Sequence, residues 1–256
     1  MINGKKVIAV LPAYNAEKTL VQTVQAIPFG AVDQILLVDD KSSDKTVIIA
    51  KRLGLEVFLH DQNLGYGGNQ KTCYKEALAR DADVIVMLHP DYQYEPKLLL
   101  AMVAPICYGV YDVMLGSRIL GGEAMKGGMP RTKYWVNRAL TFFQNLIFRR
   151  KLSEYHTGYR AFHRKVLESI PFQRNSNGFL FDNQALAQII LFGFRIGEIS
   201  CPTRYFPEAS SIGWMRGVPY AFGCLWTSVQ FLLEKLKFAH FSIFNFDPVR
   251  EESQKK

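Results

Sequence analysis

The sequence of 256 residues lacks the signatures of several large protein classes. Its four cysteines, Cys73, Cys107, Cys201 and Cys224, form neither a CxxC pair nor a zinc-site spacing, which predicts buried, reduced thiols of a cytosolic protein. No apolar run is long and uninterrupted enough to predict a membrane-spanning helix, and the N-terminus predicts no signal peptide. The sequence also contains no internal repeat and no low-complexity tract.

Common catalytic and nucleotide-binding motifs are also missing. The glycine-rich stretch from Asn63 to Asn69 fits neither the GxGxxG pattern nor the GxxxxGK[ST] loop, which excludes the Rossmann and P-loop fingerprints. It leads into a predicted helix, so its N–H groups could approach a phosphate, or it could be a tight turn between strand and helix. No GxSxG turn and no cysteine–histidine arrangement indicate a hydrolase.

Acidic residues are absent between Glu123 and Glu154, within a chain of net charge +8. The basic residues in that interval are Lys126, Arg131, Lys133, Arg138, Arg149, Arg150 and Lys151. Interleaved aromatic residues make the stretch suitable for an anionic membrane surface or for single-stranded nucleic acid, and about half of the rings are expected to belong to the core. A later helix that ends in lysines resembles an interfacial helix, or packs on the domain or on a second subunit.

Short apolar strands alternate with helices in the first half of the chain. The predicted strands cover residues 7–11, 34–39, 56–59, 84–88, 112–116, 157–162 and 195–200. The predicted helices cover residues 16–27, 45–53, 69–80, 96–108, 133–148, 182–191 and 217–239. This order predicts an α/β fold with a mostly parallel central sheet covered by helices on both faces. We expect one domain over residues 1–212, followed by an amphipathic helix and polar tail over residues 213–256.

Acidic residues follow three of the predicted strands. Asp91 comes directly after a buried strand that Pro90 ends, Asp39 and Asp40 follow another, and Glu17 follows the first. Because parallel strands end at one edge of a sheet, these carboxylates predict a site for a metal-bound polyphosphate.

The residues around Asp91 supply further candidate ligands. Gln93 could contribute a carbonyl oxygen and His89 a nitrogen, which would favour manganese. The alternative is that Asp91 caps a turn and that His89 packs at the end of the strand.

Several motifs in the correct order resemble family 2 glycosyltransferases. The opening motifs are Pro12-Ala13-Tyr14-Asn15-Ala16-Glu17, Val38-Asp39-Asp40-Lys41-Ser42-Ser43-Asp44 and Asn63-Leu64-Gly65-Tyr66-Gly67. The motifs Gly116-Ser117-Arg118 and Thr157-Gly158-Tyr159-Arg160-Ala161-Phe162 are similar to the dolichyl-phosphate mannose synthase branch. The resemblance spans roughly residues 6–207.

The resemblance implies a GT-A fold that binds a nucleotide-sugar, and a hexosyltransferase activity assisted by Mg²⁺ or Mn²⁺. It implies that the donor is held by Pro12, Ala13, Tyr14, Glu17, Val38, Asp40, Gly65 and His89. The family's Asp-x-Asp metal motif corresponds to His89-Pro90-Asp91, with Gln93 beyond it, so the metal ligands would be His89, Asp91 and Gln93. Arg118 and Arg131 correspond to positions that meet phosphates, and the helices over residues 133–148 and 217–237 correspond to interfacial helices.

Three departures from the family pattern affect these expectations. His89 replaces the first aspartate of the metal motif, Lys41 replaces a glycine, and Glu208 stands where a basic residue is common. The Gln-x-x-Arg-Trp signature of processive synthases is absent, which argues against polymer synthesis.

The predicted reaction is an inverting transfer to a lipid-linked (polyprenyl phosphate) or envelope-glycan acceptor, at the inner face of the cell membrane. A lipid phosphate is already an anionic nucleophile, whereas a hydroxyl on a soluble glycan requires a base. Asp182 is the candidate base, and capping of a helix is its alternative role.

Two further functions fit parts of the same pattern. A nucleotidyltransferase would also need a metal and a basic loop. A non-catalytic protein could bind a nucleotide-sugar, or bind nucleic acid through the basic stretch over residues 126–151. The sequence leaves the sugar, the base and the oligomeric state open.

Overall fold

Seven strands form one sheet in the computed structural model, which describes residues 1–205 and 214–245. The strands are β1 (Val7–Ala13), β2 (Gln34–Asp39), β3 (Glu56–Leu59), β4 (Val84–Met87), β5 (Val113–Ser117), β6 (Arg160–His163) and β7 (Ile196–Ser200). Their order is β3-β2-β1-β4-β6-β5-β7, and neighbours are parallel except where β6 pairs with β4 and β5. The predicted α/β class with a mostly parallel sheet is confirmed.

Helices surround this sheet in the described part of the chain. They are α1 (Leu20–Gln25), α2 (Thr46–Arg52), α3 (Gly65–Ala79), α4 (Leu99–Cys107), α5 (Arg131–Phe148), α6 (Arg164–Ser169), α7 (Phe181–Leu191) and α8 (Trp214–Lys235). Short 3₁₀ turns lie at Pro96–Leu98, Phe172–Arg174 and Ser242–Phe244.

Each face of the sheet buries its own apolar layer, because successive side chains of a strand point to opposite faces. Ile8 and Val10 of β1 belong to one layer, which includes side chains of α3 and α7. Val7, Ala9 and Leu11 belong to the other layer, which includes side chains of α1, α2 and α4. Helices therefore cover both faces, as predicted.

The helix α8 packs on α5 and α7. Phe231 of α8 is fully buried, and its ring centroid lies 4.5 Å from that of Phe148. At Gly223 an added Cβ would lie only 2.9 Å from the end of the Leu180 side chain, so α8 passes close to the residue that precedes α7. The predicted boundary between residues 212 and 213 lies outside the described residues, and the division into two units stays a prediction.

The outer side of α5 is apolar, whereas polar side chains face inward. Trp135, Phe142 and Leu146 are 67%, 73% and 69% exposed. The buried side of the helix includes Asn137, Thr141 and Gln144. On α8, Phe222 and Trp226 are also exposed. We call the five exposed side chains Trp135, Phe142, Leu146, Phe222 and Trp226 the aromatic surface. Within the described residues, no helix has both the length and the apolar character that crossing a membrane requires.

The start of α3 differs from the prediction. The helix begins at Gly65 rather than at residue 69, because the Asp40 carboxylate accepts hydrogen bonds from the backbone N–H groups of Leu64 (2.7 Å) and Gly65 (2.9 Å). The N–H groups of Gly67 and Gly68 donate to the Asn177 carbonyl. This turn of glycines is therefore the first turn of a helix, and protein acceptors hold its N–H groups.

Candidate active site

The carboxyl ends of β2, β1 and β4 lie side by side at one edge of the sheet. This adjacency brings the motifs that follow these strands together, as ligand sites in parallel sheets require. The edge has two parts: a turn region after β1 and β2, and a cavity beyond β4.

The turn region is held together by carboxylates that bind backbone N–H groups. In addition to its bonds to α3, Asp40 lies 2.8 Å from Nδ1 of His60. Glu17 accepts from the N–H of Lys45 at 2.9 Å. Asp39 accepts from the N–H of Ser42, while its other oxygen, Oδ1, is buried without a hydrogen-bond partner among the described residues. Asp39 is therefore the carboxylate here with a buried oxygen left for a ligand.

The other predicted nucleotide-binding residues lie in or beside the same region. Pro12 and Ala13 end β1, Val38 is fully buried in β2, and Tyr14 is 57% exposed beyond β1. Gly65 has φ of +82°, and an added Cβ would lie 2.8 Å from the Asn177 carbonyl oxygen, so close packing accounts for this glycine. The contacts that these residues would make with a nucleotide stay predictions.

A cavity of about 490 Å³ lies beyond β4, between the sheet edge, α5 and α8. Five of the predicted site residues line it: His89, Asp91, Gln93, Arg118 and Asp182. Apolar side chains line the part formed by the two helices: Val136, Leu140, Val218, Ala221 and Phe222. One cavity thus combines a polar wall at the sheet edge with an apolar wall between helices.

Arg118 lines the cavity as an ion pair rather than as an isolated cation. Its guanidinium binds the fully buried Glu154, with Nε 2.8 Å from Oε1. It also donates to the hydroxyl of Tyr205 at 3.0 Å and to the carbonyl of His156 at 2.6 Å. The Glu154 carboxylate neutralises the positive charge of Arg118. Arg118 therefore forms part of the cavity wall and would attract a phosphate only weakly.

Lys133 projects from the first turn of α5 into the same cavity. Its Nζ lies 5.1 Å from the ring centroid of Tyr205, and no carboxylate pairs with it among the described residues. Burial, and next the charge of Arg118, lower the pKa of Lys133 to about 8. The ammonium group is thus partly desolvated and forms no ion pair among the described residues, which favours binding of an anion. The predicted Arg131 is exposed and lines a separate surface recess, not this cavity.

Asp182 lies in the first turn of α7, and its carboxylate points to the cavity rather than capping the helix. It accepts from the hydroxyl of Tyr66 at 2.6 Å and from Nε2 of Gln70 at 3.3 Å. The same hydroxyl lies 3.1 Å from Nε2 of His89. A chain of hydrogen bonds therefore joins Asp182 to His89 through Tyr66.

His156 forms the contact between the cavity wall and α8. Its Nδ1 lies 2.8 Å from the hydroxyl of Tyr220, and its Nε2 is buried without a hydrogen-bond partner among the described residues. Burial lowers the pKa of His156 to about 4, so its imidazole is neutral at neutral pH.

The residues after β4 suit a cation that a substrate also ligates. Asp91 is buried at 8% exposure and lines the cavity. Nε2 of Gln93 is buried without a hydrogen-bond partner among the described residues, so this amide nitrogen could donate to an oxygen of a bound ligand. The described residues contain no group of three or more His, Cys, Asp and Glu side chains that could hold a metal ion. Mg²⁺ and Mn²⁺ commonly take one or two carboxylates and complete their coordination with water and substrate phosphates. This donor set therefore fits a cation bound together with a diphosphate.

Sequence reasoning did not single out four residues of this cavity: Tyr66, Lys133, His156 and Tyr220. The sequence signals that could have identified two of them are the glycine-rich stretch, which contains Tyr66, and the basic stretch, which contains Lys133. No sequence signal joins His156 to Tyr220, since 64 residues separate them.

Comparison with known proteins identifies the family. The family model described as glycosyl transferase family 2 matches residues 8–170. The chain belongs to glycosyltransferase family 2. An uncharacterized protein of Methanocaldococcus jannaschii is 30% identical over 212 residues, which are 83% of this chain and 87% of that protein.

A second relative is an enzyme named for transfer to dolichyl phosphate. The UDP-N-acetylglucosamine–dolichyl-phosphate N-acetylglucosaminyltransferase of Methanococcus voltae is 29% identical over 218 residues, covering 78% of this chain and 86% of that enzyme. The predicted resemblance to family 2 and its dolichyl-phosphate branch is confirmed.

A solved structure has the same fold. The glucosyl-3-phosphoglycerate synthase of Mycobacterium tuberculosis is 20% identical, with a TM-score of 0.69 over 93% of this chain and 82% of that chain. The predicted GT-A fold is confirmed.

Proposed function

We propose that this family 2 enzyme transfers a hexose from a nucleoside-diphosphate sugar to a polyprenyl phosphate, with inversion, on the cytoplasmic face of a membrane. The observation that carries this proposal is the cavity at the sheet edge. Its polar wall contains Asp91 and Lys133, and its apolar wall lies between α5 and α8. An acceptor with a phosphate head and a hydrocarbon tail matches both walls.

The donor's diphosphate would lie at the edge of the sheet beside Asp91, with His89 and Gln93 as additional cation ligands. The bound cation would neutralise charge on the leaving nucleoside diphosphate. The structurally similar glucosyl-3-phosphoglycerate synthase has been solved in complex with UDP and Mn²⁺ or Mg²⁺. Those complexes support both the donor class and the cation.

The acceptor phosphate would bind at Lys133. Arg118 is compensated by Glu154, whereas Lys133 has no carboxylate partner among the described residues. The relative from Methanococcus voltae is named for transfer to dolichyl phosphate, which supports an acceptor of this chemical class.

The chemistry requires no protein base. A phosphate oxygen of the acceptor attacks the anomeric carbon, a new carbon–oxygen bond forms, and the bond to the nucleoside diphosphate breaks. Transfer to a glycan hydroxyl would need Asp182 as a base. Because Asp182 already accepts from Tyr66 and Gln70, the contacts favour the phosphate acceptor.

Membrane contact would occur through the aromatic surface. Large exposed apolar patches are typical of interaction sites, and α5 ends beside the exposed basic residues Arg149, Arg150 and Lys151. Aromatic and basic residues together suit an anionic bilayer, where each basic residue contributes about 1 kcal/mol. The apolar wall of the cavity lies between the two helices that carry this surface, which gives a lipid tail a path to the bilayer.

Thermal unfolding with UDP-, GDP-, CDP- and TDP-sugars, each with and without Mn²⁺, tests the donor half of the proposal. A ligand that binds only the native state must raise the melting temperature. We expect a metal-dependent increase with sugars of one base. The absence of any increase across the whole panel would refute the proposed donor.

A further inference from the structure

The hydroxyl of Tyr66 lies between two polar side chains of the cavity wall. It is 2.6 Å from Oδ2 of Asp182 and 3.1 Å from Nε2 of His89. The rings of Tyr66 and His89 are stacked, with centroids 5.3 Å apart and planes inclined by 15°. The position of the His89 ring is therefore fixed both by stacking and by a hydrogen bond.

The direction of these hydrogen bonds follows from proton counting. A tyrosine hydroxyl carries one proton, and the shorter contact, to an acceptor-only carboxylate, takes it. The tyrosine oxygen must then accept from His89, so Nε2 of His89 carries the proton. In a neutral imidazole with the proton on Nε2, the lone pair is on Nδ1.

The backbone at Gly158 lies close to this chain of hydrogen bonds. At Gly158, an added Cβ would lie 2.6 Å from Nε2 of His89 and 3.1 Å from the hydroxyl of Tyr66. On the other side, the fully buried Arg160 donates to the carbonyl of Asp182 at 2.7 Å, which anchors the start of α7.

We propose that Tyr66 and Asp182 are positioning residues that hold His89 as its Nε2–H tautomer, so that Nδ1 serves as a ligand of the divalent cation. This inference rests on the proposed function for the presence of the cation. Histidines that bind metals usually donate their second N–H to a carboxylate, a carbonyl or water, and loss of that partner costs about 10–100-fold in metal affinity. In this protein the partner of the His89 N–H is the hydroxyl of Tyr66, which the carboxylate of Asp182 orients.

In this arrangement Asp182 has a role other than that of a base, and a chain without the first aspartate of its metal motif keeps a cation site. A nitrogen ligand in place of a carboxylate oxygen removes one negative charge. It also favours Mn²⁺ over Mg²⁺, because imidazole suits softer metals than carboxylate does.

Nitrogen-15 NMR of the histidine rings tests the tautomer directly, without metal or substrate. The chain has five histidines, and a His89→Gln variant identifies the signals of His89. We expect a protonated Nε2 and an unprotonated Nδ1 in the wild-type protein, and a mixture of tautomers in Tyr66→Phe. Tyr155→Phe is the matched control, since it removes the hydroxyl of another buried tyrosine, which among the described residues donates to Asn145. A wild-type ring protonated at Nδ1, or an unchanged tautomer in Tyr66→Phe, would overturn the inference.

Calorimetric titration of Mn²⁺ in the presence of UDP tests the consequence for the cation. We expect Tyr66→Phe to weaken Mn²⁺ binding about tenfold while Tyr155→Phe leaves it unchanged. Equal affinity in both variants would contradict the ligand role of His89. If the wild-type protein bound no nucleotide with any metal, the proposed function would fail, while the NMR result would still decide the tautomer.

Discussion

The turn region after β1 and β2 and the cavity beyond β4 lie along the same edge of the sheet, but they are built in opposite ways. In the turn region, Asp40 and Glu17 bind backbone N–H groups of the protein itself. In the cavity, Lys133 has no carboxylate partner, and Gln93 and His156 each have a buried nitrogen without a partner, among the described residues. Apart from Oδ1 of Asp39, the carboxylate oxygens described in the first region bind other parts of the protein, whereas the second region has several polar groups available for a ligand.

This difference indicates how the two regions should respond to mutation. Removing a carboxylate that binds the backbone should reduce stability, since buried N–H groups lose their acceptors. Removing a charged group of the cavity that has no ion-pair partner among the described residues, such as Lys133, should reduce activity with little effect on folding.

The largest effect is expected for Asp91→Asn. Loss of the cation at this carboxylate removes several kcal/mol of charge stabilisation, which corresponds to about a thousandfold decrease in transfer rate. Steady-state transfer kinetics measure this decrease. Asp81→Asn is the control, since Asp81 is 91% exposed and its ion-pair partner among the described residues is Arg164. A rate for Asp91→Asn within tenfold of the wild type would contradict the assignment.

The aromatic surface is tested by the double variant Trp135→Ser, Phe142→Ser. Burial of one large apolar side chain contributes about 1.5–3 kcal/mol, so loss of two partly inserted rings should weaken binding to anionic vesicles about a hundredfold. Vesicle sedimentation measures this change, and the folding stability should stay within about 0.5 kcal/mol. The double variant Phe29→Ser, Tyr108→Ser removes exposed rings elsewhere and should bind vesicles normally. Equal vesicle binding by both double variants would refute the proposed surface.

Asp40→Asn should act mainly on stability. The two carboxylate oxygens of Asp40 accept from the N–H groups of Leu64 and Gly65, one each. In asparagine one of these oxygens is replaced by an NH₂ group, which donates and cannot accept the second hydrogen bond. Hydrogen bonds to charged groups contribute about 1.5–3 kcal/mol each, and we expect a loss of about 2 kcal/mol in the free energy of unfolding. Denaturant titration measures it. A fully stable variant that had lost nucleotide binding would show instead that Asp40 contacts the donor.

Lys133→Gln should raise the KM for a polyprenyl phosphate about tenfold, because a charge-assisted hydrogen bond is lost. The KM for the donor should stay unchanged. Lys126→Gln is the control, since Lys126 is 81% exposed and pairs with Glu123 on the surface. An unchanged acceptor KM in Lys133→Gln would place the phosphate elsewhere.

The smallest expected effect is the dependence of acceptor binding on pH. Lys133 is charged below its pKa of about 8, so acceptor affinity should be full near pH 6.5 and fall several-fold as pH rises through about 8. The free energy of unfolding should instead increase as pH rises through about 8. The reason is that the pKa of Lys133 in the folded state lies below that of an unfolded lysine, so the unfolded state binds more protons. Lys133→Gln should abolish this step in the profile of acceptor KM against pH, and a step that persisted would belong to another group.

The sequence was sufficient to predict those parts of the fold and of the site that local patterns determine. The strands at 34–39 and 56–59 were predicted with their final bounds, because apolar runs between turn residues mark buried strands. His89, Asp91, Gln93, Arg118 and Asp182 were predicted and do line one cavity. The location of acidic residues at strand ends made this possible.

The remaining features depend on contacts between distant segments. Arg118 pairs with Glu154, which is 36 residues away in the sequence. This pairing determines which basic side chain of the cavity can bind an anion, and no local sequence pattern predicts it. The early start of α3 depends on a carboxylate 24 residues upstream. Arg131 and Lys133 are two positions apart in one helix, so about 200° of helix rotation separates them, and only packing decides which one enters the cavity.

The most direct test of the central claim is a transfer assay with polyprenyl phosphate and free polyprenol in the same anionic vesicles, using the donor selected by thermal unfolding and Mn²⁺. We expect transfer to the polyprenyl phosphate alone, and loss of this transfer in Asp91→Asn. Transfer to polyprenol or to a soluble glycan, abolished by Asp182→Asn, would contradict it and would make Asp182 the base of a hydroxyl-directed transferase.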